Sequence, residues 1–246
     1  MPAAGARLTI YTAITAGYDA LLRQPPDAVG EAELVAFLDA ASRPADAAGW
    51  RVLPVPTVAG DPVRAAKIYK VLPHRFLPQA AYSLWLDGSV MLAAPFPAGR
   101  LVELYLGDAD LCLFRHGRRR CCYREAAACL ALGLDRPEVI EAQMRRYRAA
   151  GHPRAAGLCE ASVLLRRHSP AVAAFNEAWW EEICGGSRRD QLSIDFVARR
   201  SGVRLRHFPL SLDTPNGLFV KLPHAAPAGS ALAGPAPAGP TPGAIL

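Results

Sequence analysis

The chain has 246 residues, enough for one sizeable domain and too few for two full ones. It is 51% hydrophobic and 20% charged, so it buries a core, and no run approaches the roughly 18 apolar residues of a membrane span. Its 28 lysines and arginines against 22 acidic residues give +6, a modest excess that favours anionic partners: nucleotide phosphates, nucleic acid or an acidic membrane surface.

The residues before Leu8 lack the apolar segment of a secretory signal, so neither an integral membrane protein nor a signal-bearing secreted one is expected. Leu8 to Thr15 (LTIYTAIT) is β-branched and apolar and breaks at Ala16-Gly17-Tyr18-Asp19, which predicts a buried strand and a polar loop. Glu33 to Asp39 (ELVAFLD) fits a helix by propensity and a buried strand by length. Trp50 to Val55 is a short extended segment bounded by Pro54 and Pro56. Asp61-Pro62 opens a helix, with an N-cap residue before a first-turn proline, that runs from Val63 to Leu72. Tyr82 to Leu86 (YSLWL) is a strand ending at Asp87-Gly88-Ser89, and Leu111 to Phe114 is another, ahead of the basic run 115–120. Helices are predicted over Cys122–Leu132, Pro137–Ala150, Ala171–Ile183 and Arg188–Arg200, and strands over Ser162–Leu165 and Val203–Phe208. Strands alternating with helices give an α/β fold around a mostly parallel sheet.

Six cysteines have no C-x-x-C spacing, and Cys121 and Cys122 are adjacent, so they read as small buried thiols in a reducing cytoplasm rather than a zinc site or disulfides. Residues 224–246 are dominated by Ala, Gly and Pro and carry no formal charge, which predicts a disordered tail after a single domain over residues 1–223.

Four constellations could carry chemistry. Asp87, directly after an apolar strand, lies at the carboxyl edge of the sheet, where open α/β folds bind ligands; Asp-Gly is equally a turn that caps its own backbone. On the helix opened by Asp61, about 100° per residue gathers Arg64, Lys67 and Lys70 on one side, opposite Ala65, Ile68, Tyr69 and Leu72. None of the three has an acidic residue four positions away, which suits an anionic ligand or a solvated face. Arg115-His116-Gly117-Arg118-Arg119-Arg120 is a basic cluster without the interleaved aromatics of a base-stacking surface. Ser187 and Asp190 fit a capping box, preceded by the Trp179-Trp180 pair, which suits a core or the floor of a sugar pocket.

In order along the chain, Tyr11–Asp19 (YTAITAGYD), Phe37-Leu38-Asp39, Arg64–Lys70 (RAAKIYK), Ser83–Ser89 (SLWLDGS), His116–Glu125 (HGRRRCCYRE), Trp179–Glu182 (WWEE) and Arg189–Ser193 (RDQLS) form a set. Over roughly Leu8 to Phe208 this set resembles a glycosyltransferase-like family that includes plant mucilage-related and turgor-regulation proteins and bacterial relatives encoded with polysaccharide genes. The resemblance implies a GT-A-like α/β fold that binds a nucleotide-sugar donor and passes its sugar to a glycan or lipid-linked acceptor. Carried onto this chain, it sets Ala13, Thr15, Gly17 and Tyr18 under the nucleotide and Asp39 near the base or ribose. Arg64 and Lys67 neutralise the diphosphate, with Gly88, Ser89 and Arg119 also on the donor side. Asp87 stands where related folds keep a metal-binding D-x-D, holding Mn2+ or Mg2+ with His207 as a further ligand. Ser89 replaces the second acid of that motif, which puts metal dependence in question. His116 and Glu125 line the site as catalytic candidates, Asp190 is the base of an inverting transfer, and Trp180, Arg189 and Gln191 lie on the acceptor side.

The missing signal and apolar span and the scattered cysteines point to a cytoplasmic protein without integral membrane contact; no nucleic-acid partner is expected, and peripheral association is compatible with a lipid-linked acceptor. Two rivals stand beside it. A nucleic-acid-binding protein would use residues 115–120, with affinity falling steeply with salt. A catalytically inactive nucleotide-sugar binder would bind donor without transfer.

Overall fold

The computed structural model describes residues 8–58 and 60–224. In chain order its elements are β1 (Leu8–Ile14), α1 (Pro26–Val29), β2 (Glu33–Leu38), β3 (Arg51–Pro54), α2 (Pro62–Val71), α3 (Pro73–Phe76), β4 (Tyr82–Leu86), β5 (Val90–Leu92), β6 (Leu111–Arg115), α4 (Cys122–Ala131), α5 (Pro137–Ala149), β7 (Cys159–Arg167), α6 (Pro170–Gly185), α7 (Ile194–Ser201), β8 (Leu205–His207) and β9 (Phe219–Lys221).

Seven strands form one sheet in the order β3-β2-β1-β4-β7-β6-β8, and β7 alone runs against the others. This is the expected mostly parallel α/β architecture. The carboxyl ends of β1, β4 and β6 and the amino end of β7 therefore share one edge. β7 is irregular there: it advances from Glu160 to Leu164 while its partner β6 moves one residue, from Phe114 to Leu113.

Both sheet faces are covered, which is why the strands read as continuous apolar runs. Strand alternation sends Tyr11 and Ala13 into a layer with α2, α4, α5, α6 and α7, and sends Leu8, Ile10 and Ile14 into a layer with α1, β5, β9 and Phe208. The ambiguous segment 33–39 is a strand because it pairs with β1 on one side and β3 on the other, so tertiary pairing overrides its helix-favouring residues. Asp61 is the N-cap of α2, accepting the Arg64 backbone N–H at 3.0 Å. All six cysteines are free, only Cys184 is exposed, and burial pushes the Cys112 and Cys122 thiols up to about 12, as small buried thiols require.

The helix expected over 188–200 is broken. Asp190–Leu192 makes a 3-10 turn and α7 starts at Ile194. The Ser187–Asp190 box does not form, because Ser187 Oγ donates to Asp135 Oδ2 at 2.7 Å and Asp190 is drawn inward beneath α2. The β5–β9 pair went unread in the sequence, since three-residue strands carry no alternation. Residues 1–7 and 225–246 lie outside the described residues, as does the disordered reading of the tail beyond His224. His224 itself is packed against Tyr18 and Asp19. Among the described residues no helix is long and apolar enough to cross a membrane.

Candidate functional site

A cavity of about 750 Å³ opens at the shared edge of the sheet. The loop after β1 forms one side. It turns tightly through Ala16 and Gly17, both in the left-handed region (φ 56° and 64°). Ala16 N donates to Asp39 Oδ2 at 2.9 Å, Gly17 N to Ser42 Oγ at 3.0 Å, and Ser42 Oγ to Asp39 Oδ1 at 2.6 Å. Thr15 Oγ1 ties the loop to the start of α2 by donating to the Pro62 carbonyl at 2.9 Å. Asp39 is thus a buried latch behind the loop, absent from the cavity wall where the donor-side reading set it. Burial pushes its carboxyl up, but hydrogen bonds from Ser42 and Ala16 outweigh this and hold it below the ordinary value.

At the centre, two acids and two lysines interlock. Lys67 Nζ donates to Asp190 Oδ1 at 2.8 Å, while Lys70 Nζ lies 2.8 Å from Asp190 Oδ2 and 3.1 Å from Asp87 Oδ1. Trp85 Nε1 also donates to Asp87 Oδ1, at 2.6 Å, and its ring lies 5.4 Å under the Lys70 ammonium. Lys70 and Asp190 side chains are only 4% and 6% exposed. Burial pushes the Asp190 carboxyl up, yet the two ammonium groups win and hold it well below the carboxylate range. The lysines diverge. Lys67 has one carboxylate in contact and a like charge beside it, so burial lowers it; Lys70 touches two carboxylates, which outweigh burial and raise it. A carboxylate clamped in this way is a weak proton acceptor, so the geometry does not support Asp190 as the base.

Beyond Asp87, Gly88 lies against Asp19. A Cβ at Gly88 would meet Asp19 Cβ at 2.8 Å and Oδ2 at 2.9 Å. His224 Nδ1 is 3.1 Å from both Asp19 oxygens, and its ring stands edge-on to Tyr18. All four residues line the cavity mouth. Gly88→Ala is therefore expected to lower stability by about 1–3 kcal/mol, as overpacking does, and to prise Asp19 from His224. Urea unfolding checks the first effect, and the His224 ring resonance in NMR checks the second.

The opposite wall comes from the loop after β6 and from α4. Arg119 Nε donates to Glu125 Oε2, His116 Nε2 lies 3.6 Å from the same oxygen, and His116 Nδ1 accepts the Arg118 and Arg119 backbone N–H groups. His116, Arg119 and Glu125 thus line the cavity together, with Arg189 and Gln191 also on its wall. Each carboxylate of the cavity already has a basic neighbour: Asp19 has His224, Asp87 has Lys70, Glu125 has Arg119, Glu160 and Asp213 share Lys221, and Asp190 has both lysines. Arg118 and Arg189 line the same space with no acid within 4 Å among the described residues, and Arg189 Nε is buried without a hydrogen-bond partner. Seven lysines and arginines face six carboxylates on this wall, so its charge is nearly balanced overall, and the cations left without an acid are Arg118 and Arg189.

Several expected residues lie elsewhere. Arg64 bonds the Gly186 carbonyl at 3.2 Å and pairs with its own helix cap Asp61 at 3.1 Å, three residues back, so it turns away from Asp87. Gly17 shapes the loop from behind. Trp180 packs on the helix-layer core, off the cavity wall. His207 sits on the edge strand β8, three places from β4 in the sheet, so it cannot share a metal with Asp87. Lys70 was legible on the cationic face of its helix; Asp19 stood in the first loop; nothing local marked Lys221 or His224.

Residues 28–212, well over half of the chain, match the family described as TOD1/MUCI70, glycosyltransferase-like domain. The chain belongs to this family. The TOD1/MUCI70 match contains Asp87, Glu125, Asp190 and both central lysines, while β1, the loop after it, Lys221 and His224 lie outside it. The chain is 32% identical over 160 residues to the Arabidopsis thaliana protein named probable hexosyltransferase MUCI70, covering 60% of this chain and 27% of that protein, so it spans about a quarter of that relative's length. The crystal structure of mouse xyloside xylosyltransferase 1 in its apo form is similar over 81% of this chain and 83% of that one, at 13% identity and a TM-score of 0.48.

Proposed function

We propose that this domain transfers a hexosyl or related unit from a nucleotide-diphosphate donor to a glycan or lipid-linked acceptor in polysaccharide synthesis, in the cytoplasm and without nucleic acid. Family membership supports the class of reaction. The observation that carries the reading is a cavity at the carboxyl edge of the sheet in which Arg118 and Arg189 have no acid within 4 Å among the described residues, while Asp87 and Asp190 are held by the lysine pair. Departure of a nucleoside diphosphate builds negative charge, which Arg118 and Arg189 meet directly and the fixed lysine pair meets from beneath. The nucleotide rests on the loop Ala13 to Tyr18, and the Asp87-Gly88-Ser89 turn approaches its phosphates.

A divalent cation fits this rim only as a ligand shared with the donor. Lys70 and Trp85 both bond Asp87 Oδ1 and not Oδ2, Asp19 stands next to Gly88, and no three acidic, histidine or cysteine side chains among the described residues form a metal cluster. Asp87 would hold Mn2+ or Mg2+ through its other oxygen, and the ion would add Lewis-acid stabilisation of the leaving diphosphate.

Calorimetry with uridine, guanosine and adenosine diphosphates, each with Mn2+ and with EDTA, tests the donor reading. Binding of at least one at micromolar Kd is expected. A folded sample that binds none refutes it. One observation favours a second reading, a donor-binding protein without transfer: no cavity carboxylate is free of a basic partner, so none stands ready as a base. Slow donor hydrolysis, followed by chromatography of the released diphosphate, separates the two. The nucleic-acid reading is weakened because His116 and Arg119 turn inward to Glu125.

A further inference from the structure

We propose that Arg166, one residue behind the cavity wall, is a positioning residue that sets Lys70 between Asp87 and Asp190. Its importance for donor binding rests on the function proposed above; its effect on Lys70 does not.

Arg166 is wholly buried in the middle of the sheet, on β7. No carboxylate lies within 4 Å of it among the described residues, so its charge is uncompensated by an acid. Its partners are neutral: Nη2 donates to the Lys70 carbonyl at 2.8 Å, and Nη1 donates to the Val71 carbonyl at 3.2 Å and to Asn176 Oδ1 at 2.8 Å. A buried guanidinium without an acid is an expensive way to fill a core, and apolar residues of similar volume often serve stability as well or better. Position explains what packing does not.

The two carbonyls belong to the last turn of α2, where a helix leaves its C=O groups unpaired and carries its negative end. Arg166 closes that end with its fork, and Tyr11 Oη adds a third bond by donating to the Lys70 carbonyl at 3.0 Å. The Lys70 backbone is thereby pinned to β7 and β1 from below. Its side chain then reaches up over Trp85 to meet both acids, where a shift of an ångström would break either contact. A supporting chain aims the fork itself: Asn176 Nδ2 bonds His74 Nδ1 at 3.2 Å, and His74 Nε2 lies 2.8 Å from Glu177 Oε1. Asn176 is therefore held so that its oxygen faces Arg166.

The test reads Lys70 through Trp85, whose indole N–H shares Asp87 Oδ1 with it. In Arg166→Met, the Trp85 indole resonance in 1H–15N NMR, assigned by its loss in Trp85→Phe, is expected to shift and to exchange with solvent at least tenfold faster. Uridine diphosphate, or whichever nucleoside diphosphate the wild type binds best, is expected to bind the folded variant at least tenfold more weakly. Arg166→Lys, which keeps the charge but can reach only one carbonyl well, should fall between. An unmoved Trp85 resonance in either folded variant overturns the proposal, as does a moved resonance with unchanged nucleotide affinity. If Arg166→Met does not fold, the lysine variant decides alone. If the wild type binds no nucleotide, the donor reading fails while the Trp85 signal still decides whether Arg166 places Lys70.

Discussion

Lys70→Met is expected to abolish nucleotide binding and to lower stability by about 3 kcal/mol, more than any other single change at the cavity. Removing one member of a buried ion pair strands its partner, at a typical cost of about 3–5 kcal/mol. Here the lower end applies: Asp190 keeps Lys67, and Asp87 is a third exposed and keeps Trp85. The loss of binding follows from geometry. Without Lys70, Asp87 and Asp190 become neighbouring negative charges at the place where a diphosphate must approach. Urea unfolding gives the stability and calorimetry the binding. Lys67→Met, which leaves both acids bonded to Lys70, is the milder control.

Asp190→Asn is expected to cost about 2–3 kcal/mol at neutral pH and to change how stability varies with pH. In the wild type the two ammonium groups hold the Asp190 carboxyl well below its ordinary value against the opposing effect of burial. Its contribution is thus complete above the unfolded carboxyl value, about 4, and is lost as the pH falls below that. The variant lacks this linkage, so its stability declines less steeply between about pH 4 and pH 2. On the alkaline side the sign reverses. Burial already lowers Lys67, and without Asp190 it falls further, so the variant gains stability as the pH rises towards the unfolded lysine value, about 10. Urea midpoints measured from pH 2 to pH 10 on both proteins check the two slopes; equal slopes would mean that the clamp is not formed in solution.

The sheet was legible because buried strands concentrate apolar and β-branched residues, and the edge that carries the cavity followed from where those runs stop. Asp87 and Lys67 could be placed on that logic. What failed was, apart from Arg64, decided by partners distant in sequence. Arg64 shares a helical face with Lys67, but its own cap lies three residues back, inside the range that a search at four residues skips. Asp190 fits a capping pattern, yet two lysines more than a hundred residues away take it. Asp39 has the look of a ligand and serves as a latch, because only the fold reveals that both its oxygens are spoken for. His224 lay in sequence that reads as tail, and it reaches the mouth only because Leu222 N–H bonds the Ser89 carbonyl after β9. No local pattern encodes such a return.

The irregularity of β7 has a consequence for what lengths of this strand can survive. The surplus residues between Glu160 and Leu164 have no registered partner on β6, but Val163 pairs with Leu86 of β4 and the Ser162 carbonyl accepts the Asp87 N–H, so only the stretch before Ser162 can absorb a residue gained or lost. Past Leu164 the pairing is strict, and each further residue alternates between layers. One residue inserted between Leu164 and Arg166 would turn the guanidinium out among Val163, Leu165 and Phe208, where no helix end waits for it. Length drift between relatives of this domain should therefore collect before Ser162 and be absent from the rest of the strand.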